Sequence, residues 1–574
     1  VLSRTDEAYT LFSIGSGAIA LLVMFPAAFF AGMTLPLFTM ALLRRGAGEV
    51  VIGRVYAANT LGAIAGVMVA VHLLIPLLGV RLAVTLAALG DVLLGIYLLR
   101  MVSPGRPEPR VIALAALGVF AFVASMHLGR VDPRLQTSGV FRTGIVELDP
   151  DMQVLYLRDG KTATVSVSQR AGGSMSIATN GKPDAAMATS LDVPPSSGDE
   201  VTMLMLGASP LVFHPRPERV AFIGWGSGLS THTVLGSPLP REVETVEIER
   251  AMYDGARLFG ERVSRAYEDP RSRVHFDDAR TYFSTGARTY DVIVSEPSNP
   301  WVSGVASLFT VEFYRFLGRH LADDGVLVQW LHAYEIDDRL VAIMVAALLE
   351  VFPDTEVYLT NAADFVFIAR KGGERFEDVS RLAEEPLASE MRRVGLISAE
   401  DFGVRRIGGP EMLRTFVRLQ GVSAHSDFFP VVSLDAPRTR FLRRVASQLT
   451  ALLTSGLPVR DAMEGYLPPR RDDPVSVSDD SVAALIHQHA GGVARALKAP
   501  SAANRQPLSP VMNFYVEALR SLSAGPVSDD DLQLWSEALA NVVDETLGAL
   551  HPDDHVGVLV APAWIDRSVQ GEWV

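Results

Sequence analysis

The stretch RVAFIGWGSG, Arg219 to Gly228, followed by EVETVEIE, Glu242 to Glu249, decides the fold class. A short apolar strand runs into glycines at 224, 226 and 228, a helix follows to about Leu235, and a second strand ends on Glu247. The alternation continues through VHFDDA (Val274 to Ala279), YDVIVSEP (Tyr290 to Pro297), a helix around Phe313 to Leu321, and GVLVQWL (Gly325 to Leu331). Strands alternating with helices predict a parallel α/β sheet, whose ligands gather at the carboxyl ends of its strands.

Those strand ends carry the candidate chemistry. Gly224, Gly226 and Gly228 lack a Cβ and let backbone approach a ligand closely, although such a turn is also an ordinary tight strand-to-helix connection. Glu247 closes the second strand, where an acid can accept both ribose hydroxyls. Asp278, at the end of the third, can accept from an adenine amino group; as an isolated feature it reads equally as a helix cap. Together they predict an adenosine site. Spacing alone does not separate S-adenosylmethionine from NAD, though the run is not a clean GxGxxG. At the fourth strand end, Glu296 stands before Pro297 and Trp301, in surroundings expected to raise its pKa toward that of a useful base. The competing reading has Glu296 capping the next turn and Trp301 packing the core.

Outside this region the 574-residue chain is half hydrophobic, with a mean hydropathy of +0.24 and a net charge of −14. The acidic balance leaves no basic footprint for nucleic acid. Zero cysteines exclude disulfides and thiolate chemistry. No Asp, Glu, Lys or Arg occurs from Ala8 to Leu43 or from Val55 to Val80, and Leu82 to Leu99 and Val111 to Leu128 are further apolar runs. A helix crosses a bilayer with about 20 apolar residues, so residues 8–128 predict a transmembrane helical domain of about four spans in contact with lipid. The basic loops RRGAGEVVIGR and RMVSPGRPEPR would then share one side and place everything after Leu128 outward. The chain begins at Val1 without a methionine, as a fragment or processed form of a longer membrane protein would.

Between the spans and the parallel sheet, VLYLRDGKTATVSVSQR and GSMSIATNGKPDAA alternate around DG and NG turns, predicting a small antiparallel β domain over 138–215. The catalytic domain is expected over 216–444. A helical accessory segment is expected over 445–574, past a PPRRDDP linker.

The quoted strand ends, together with YDVIVSEPSNPWVSG, resemble the polyamine aminopropyltransferase, or spermidine synthase, family. MTLPLFTMALLRR and GRVYAANTLGAIAG resemble the membrane half of its membrane-fused bacterial branch. The resemblance implies a Rossmann-like sheet of the class I methyltransferase type. It also implies S-adenosylmethionine or its decarboxylated form as co-substrate, held by Gly224, Gly226, Ser227, Gly228, Glu247, Asp278, Ala279 and Pro297. Where the family carries GGGDGG this chain reads GWGSGL, so an acid becomes Ser227; where it carries DSSDP this chain reads EPSNP, with Glu296 at the base position and Asn299 at the second acid. The family's Tyr-Gln pair of the polyamine pocket falls at Thr202 and Met203. Holding a diamine takes carboxylates at both ends, so plain putrescine is not the expected acceptor.

These expectations define a transferase in which an amine attacks the carbon next to the sulfonium and methylthioadenosine leaves, with Glu296 and Asn299 at the reacting centre. Two alternatives stay open: a methyltransferase, and a binding domain without turnover that regulates the membrane module, in which Asp91 would be the intramembrane ionisable group. Because S-adenosylmethionine compounds arise in the cytoplasm, the catalytic part is expected there, in the inner membrane of a bacterium, against the basic-loop count. No metal site is expected, since His332 and His425 lack ligand spacing. HSDFFP, His425 to Pro430, reads as a loop cap or as a wall of the acceptor pocket. Assembly of identical copies remains open.

Overall fold

The computed structural model describes residues 4–102, 109–128, 132–144, 146–192, 197–361, 363–396 and 398–450. The helical segment expected over 445–574 falls, beyond Thr450, outside the described residues. The chain divides into two compact units, one comprising Val1–Ser168, Ala178–Pro183 and Glu249–Gly255, the other Gln169–Ile177, Asp184–Ile248 and Ala256–Val574.

The first unit begins with α1 (Asp6–Arg44), whose N-terminus is capped by the Thr5 hydroxyl accepting from Ala8 N at 3.3 Å. Helix α2 (Val50–Val69) passes through a π-helical turn into α3 (Ile75–Val102), and α4 (Pro109–Leu128) follows. Two stretches, Asp6–Arg44 and Val50–Met101, are long and apolar enough to cross a bilayer, and Val111–His127 is a shorter apolar helix. Where the sequence separates two spans near Val80, a single helical run is turned at Gly79, at φ 79° and ψ 163°, a conformation only glycine adopts at little cost. The break orphans Val80 N–H, which donates to the Asp159 carboxylate at 2.8 Å.

Strands β1 (Met152–Asp159), β2 (Thr164–Arg170), β3 (Ser174–Thr179) and β4 (Lys182–Ala188) form the expected antiparallel sheet in sequence order. Asn180 and Gly181 both take positive φ in the tight turn between β3 and β4, as the NG signal predicts. Glu249, two residues past Glu247, belongs to the first unit and is structural: its carboxylate accepts from Thr162 N (2.7 Å), Thr162 Oγ1 (2.9 Å) and Ala251 N (2.9 Å).

The second unit is built on an eight-stranded sheet. Its parallel part comprises β5 (Arg219–Ile223), β6 (Glu242–Glu247), β7 (Ser272–Phe276), β8 (Tyr290–Ser295) and β9 (Leu321–His332). Three further strands, β10 (Asp354–Asn361), β11 (Asp364–Arg370) and β12 (Arg406–Gly408), run antiparallel to their neighbours. The spatial order is β12-β10-β11-β9-β8-β5-β6-β7. It is the Rossmann-like sheet expected, extended at one side by an antiparallel hairpin. The chain winds outward from β5 in one direction and from β8 in the other, so the crevice at their carboxyl ends is the topological switch point.

Burial explains the strand composition: β8 reads YDVIVS with all but Asp291 buried, as a strand covered on both faces must. The helix Gly198–Phe213 is buried from Glu200 to Phe213 and packs beside the helix Leu229–Val234. Each fully buried Leu, Val or Phe of this core contributes about 1.5–3 kcal/mol relative to exposure. That core holds the switch-point turns in place.

Candidate active site

The site is built from four strand ends of the second unit. At the end of β5, Gly224 takes φ 101° and donates its N–H to Val246 O at 2.9 Å; a Cβ here would collide with the carbonyl oxygen of Glu296. The glycine therefore lets two adjacent strand ends touch. Gly226, at φ 54°, has no atom within 4 Å of where a side chain would stand, which leaves room above the turn. Gly228 N–H closes the turn on Trp225 O at 2.7 Å.

Glu247 ends β6 with 7 % of its surface exposed, and its Oε2 accepts the backbone N–H of Trp225 at 2.9 Å. The carboxylate thus fixes the glycine turn from the neighbouring strand. At the end of β7, Asp278 is exposed and caps the helix Ala279–Ser284, its Oδ1 accepting from Thr281 N at 3.1 Å. The capping reading of Asp278 is the one its geometry displays; Ala279 is buried behind it. Among these side chains, a nucleoside is met by the space over Gly226 and the acid at Glu247, an arrangement that fits such a group.

Glu296 is the first residue past β8. Its N–H donates to Ile223 O at 2.9 Å, and its Oε2 accepts from Ser230 Oγ at 2.7 Å. Burial pushes its carboxyl up to about 8; the Ser230 hydrogen bond opposes the rise, and the negative charges of Asp364 and Asp199 add to it. The desolvation expected at this position is therefore present. Trp301, by contrast, packs at the margin of the core with the Arg440 guanidinium 5.0 Å from its ring centre.

The rest of the EPSNP turn is enclosed. Pro297 is buried, Ser298 Oγ donates to Asp184 at 3.0 Å, and Asn299 is fully buried with both side-chain amide atoms lacking a hydrogen-bond partner among the described residues. An orphaned buried amide costs about 1–3 kcal/mol, so the fold holds Asn299 at an energetic penalty. Ser227 is also fully buried; its hydroxyl donates to Met203 Sδ at 3.0 Å and accepts from Leu229 N at 3.3 Å. Position 227 is thus a satisfied neutral contact.

Sequence reasoning missed three groups. Ser230 reads as an ordinary helix residue. Asp364 opens β11 with 5 % exposure, and its Oδ2 accepts from Thr202 Oγ1 and from Asn361 Nδ2, each at 2.9 Å. Asp199 stands in the first turn of Gly198–Phe213. The two acids lie far from Glu296 along the chain, and no local pattern marks them. His425 is a loop brace: it is buried and its Nε2–H donates to Ala306 O at 3.1 Å. Among the described residues no group of three or more His, Asp or Glu is placed to hold a metal.

Residues 201–365 match the family described as spermine/spermidine synthase domain. The polyamine aminopropyltransferase of Moorella thermoacetica is 30 % identical over 161 residues, which cover 28 % of this chain and 56 % of that protein. The Bacillus subtilis polyamine aminopropyltransferase is 28 % identical over 157 residues, covering 27 % and 56 % respectively. The chain spans about half the length of the curated relatives it matches. The crystal structure of spermidine synthase from Thermotoga maritima aligns at 20 % identity and a TM-score of 0.38, over 46 % of this chain and 88 % of that one. The switch-point turns and the acid of β6 all lie inside residues 201–365, the segment that matches the spermine/spermidine synthase domain.

Proposed function

We propose that this chain is a membrane-anchored aminopropyltransferase. The co-substrate is S-adenosylmethionine in its decarboxylated form, the acceptor is an amine other than plain putrescine, and the product nucleoside is methylthioadenosine. The observation that carries the reading is Glu296: a carboxyl raised to about 8, at the carboxyl end of β8, against the glycine turn of β5. An amine acceptor arrives as an ammonium ion and must lose a proton before it attacks.

The co-substrate, when bound, supplies an electrophilic carbon beside a sulfonium. The chain's own residues do the rest. Glu247 and the 224–228 turn hold and orient the nucleoside, which converts the encounter into a positioned displacement. Glu296 takes the proton of the attacking nitrogen. Ser230, donating to Glu296 Oε2, keeps the other oxygen directed and opposes the upward shift, so the base is available near pH 8 rather than higher. Asn299 and Ser227 are neutral where the resemblance implies acids, and the carboxylates that act on Glu296 come instead from Asp364 and Asp199, a different charge layout that supports a different amine.

The anchor reading rests on the two long apolar helices, whose most hydrophobic windows are wholly unburied; the core helix of a soluble protein would be covered. The catalytic part then faces the cytoplasm, the source of the nucleoside donor, and a reporter fused after Val574 that read outward would overturn that side. Incubation of the purified chain with the decarboxylated and the intact donor, followed by mass spectrometry, tests the chemistry. Methylthioadenosine from the decarboxylated donor, lost on Glu296→Gln, is the expected result. Release of S-adenosylhomocysteine would make the chain a methyltransferase, and binding without turnover would make it a sensor.

A further inference from the structure

One loop of the second unit turns its aromatic side chains outward while the polar groups around them are tied down. Ser426 Oγ donates to the Glu312 carboxylate at 2.8 Å and Asp427 N donates to its other oxygen at 3.0 Å. The Asp427 carboxylate receives two Arg280 nitrogens at 2.8 and 2.9 Å, a bidentate pair. On this brace Phe428 is 80 % and Phe429 75 % exposed. The loop has no internal need for two phenylalanines in water, and each exposed ring forfeits about 1.5–3 kcal/mol of burial.

The chain behind the loop continues the pattern. Leu434, on the helix Val431–Phe441, is 72 % exposed. From residue 438 to 444 the sequence is RTRFLRR, four arginines and no acid in a chain of net charge −14. Arg443 and Arg444 stand exposed just past the helix. The helix between the rings and Arg443 has eleven residues and is about 15 Å long, so Phe428, Phe429, Leu434, Arg443 and Arg444 follow one another along a short exposed stretch of chain.

We infer that this patch docks on the headgroup layer of an anionic bilayer. Aromatic rings favour the membrane interface, and guanidinium groups match lipid phosphates in geometry and charge. A braced loop gives up little conformational entropy on insertion. The proposed anchor enters in one respect only: it would keep a bilayer within reach. A bilayer within reach favours lipid over a second copy of this acidic chain, which the arginines would also attract, and residues 451–574, which follow directly, are the competing cover.

The absence of cysteine allows a direct test on the full chain. Phe428→Cys and, separately, Phe429→Cys carry an environment-sensitive fluorophore in vesicles of phosphatidylcholine with or without phosphatidylglycerol, in the presence of doxyl-labelled lipid. Arg241→Cys, at a side chain 76 % exposed, is the control. Doxyl quenching at 428 and 429 but not at 241, in the anionic vesicles, is expected. Neutralising Arg443 or Arg444 to Ala should lower the lipid-facing population about fivefold each. Labels that stay in water in anionic vesicles overturn the inference, as does shielding indifferent to doxyl lipid, which would mean a protein cover. Alkaline carbonate extraction judges the anchor separately: release of the chain removes the anchor reading, while the quenching still decides the patch.

Discussion

The two sides of the switch-point crevice are made of different material. On the β5 and β6 side the surface is backbone: a turn at 224–228 with positive φ at three glycines, held by one buried carboxylate, Glu247. On the β8 side it is side chain: Glu296 on Ser230 and an enclosed Asn299, with Asp364 and Asp199 acting on Glu296 from elements distant in sequence. A backbone surface tolerates little variation, because any Cβ intrudes. A side-chain surface is re-specified one residue at a time. Substitutions on the two sides should therefore divide along that line.

The largest effect is expected at the backbone side. Gly224→Ala puts a Cβ into the Glu296 carbonyl and strains a φ of 101°, for about 3 kcal/mol or more of lost stability. Thermal melting should fall and nucleoside binding by calorimetry should vanish. Gly226→Ala meets open space and should cost about 1 kcal/mol. Equal losses at both would mean that the turn is not shaped by close strand approach.

Next comes Glu296→Gln, expected to lower kcat about 10²–10⁴-fold while nucleoside affinity holds. Its stability signature has a definite sign. The folded carboxyl keeps its proton up to about pH 8, whereas the unfolded chain releases it near its ordinary value of 4.5, so native stability falls as pH rises across that window. Glutamine removes the effect. The variant should therefore melt with the parent at pH 4 and above it at pH 9, by about 2 kcal/mol after discounting for partial exposure. A variant less stable at pH 9 would mean that the charge is compensated there.

Glu247→Gln should weaken nucleoside binding about 10- to 100-fold, since a hydrogen bond to a charged group contributes about 1.5–3 kcal/mol. The loss should appear in KM for the donor and leave the pH profile in place. A shift of the profile would couple the two sides and break their independence.

Legibility in the sequence followed the same division. Strands β5 to β9 could be read because buried parallel strands are apolar runs punctuated by glycine and acid. Hairpin β1–β2 carried DG and β3–β4 carried NG. The β10–β11 connection reads NAAD, alanines where a turn signal would stand, and β12 is three residues long, so neither announced itself. At the site, Gly224 and Glu247 show their reason locally. Asp278 does too, but a strand-end acid and a helix cap are the same letter, and only the Thr281 contact distinguishes them. Ser230, Asp199 and Asp364 act through space, and no spacing along the chain encodes that.

The smallest effect is the most discriminating. Asp364 receives neutral donors, Thr202 Oγ1 and Asn361 Nδ2, and its charge raises the Glu296 carboxyl. Asp364→Asn keeps the shape and removes the charge, so the Glu296 pKa should drop. The rising limb of the pH–rate profile should move to lower pH by roughly half a unit, the scale of one like charge at an effective dielectric near 20 partly screened by solvent. If Asp364 acts only through its field, the limb moves and KM for the amine stays. If it holds a second ammonium of the acceptor, KM rises tenfold or more as well, because that cation would lose its charged partner. A profile that does not move would leave burial and Asp199 as the origin of the raised carboxyl, and Asp364 would then serve only its Thr202 and Asn361 contacts.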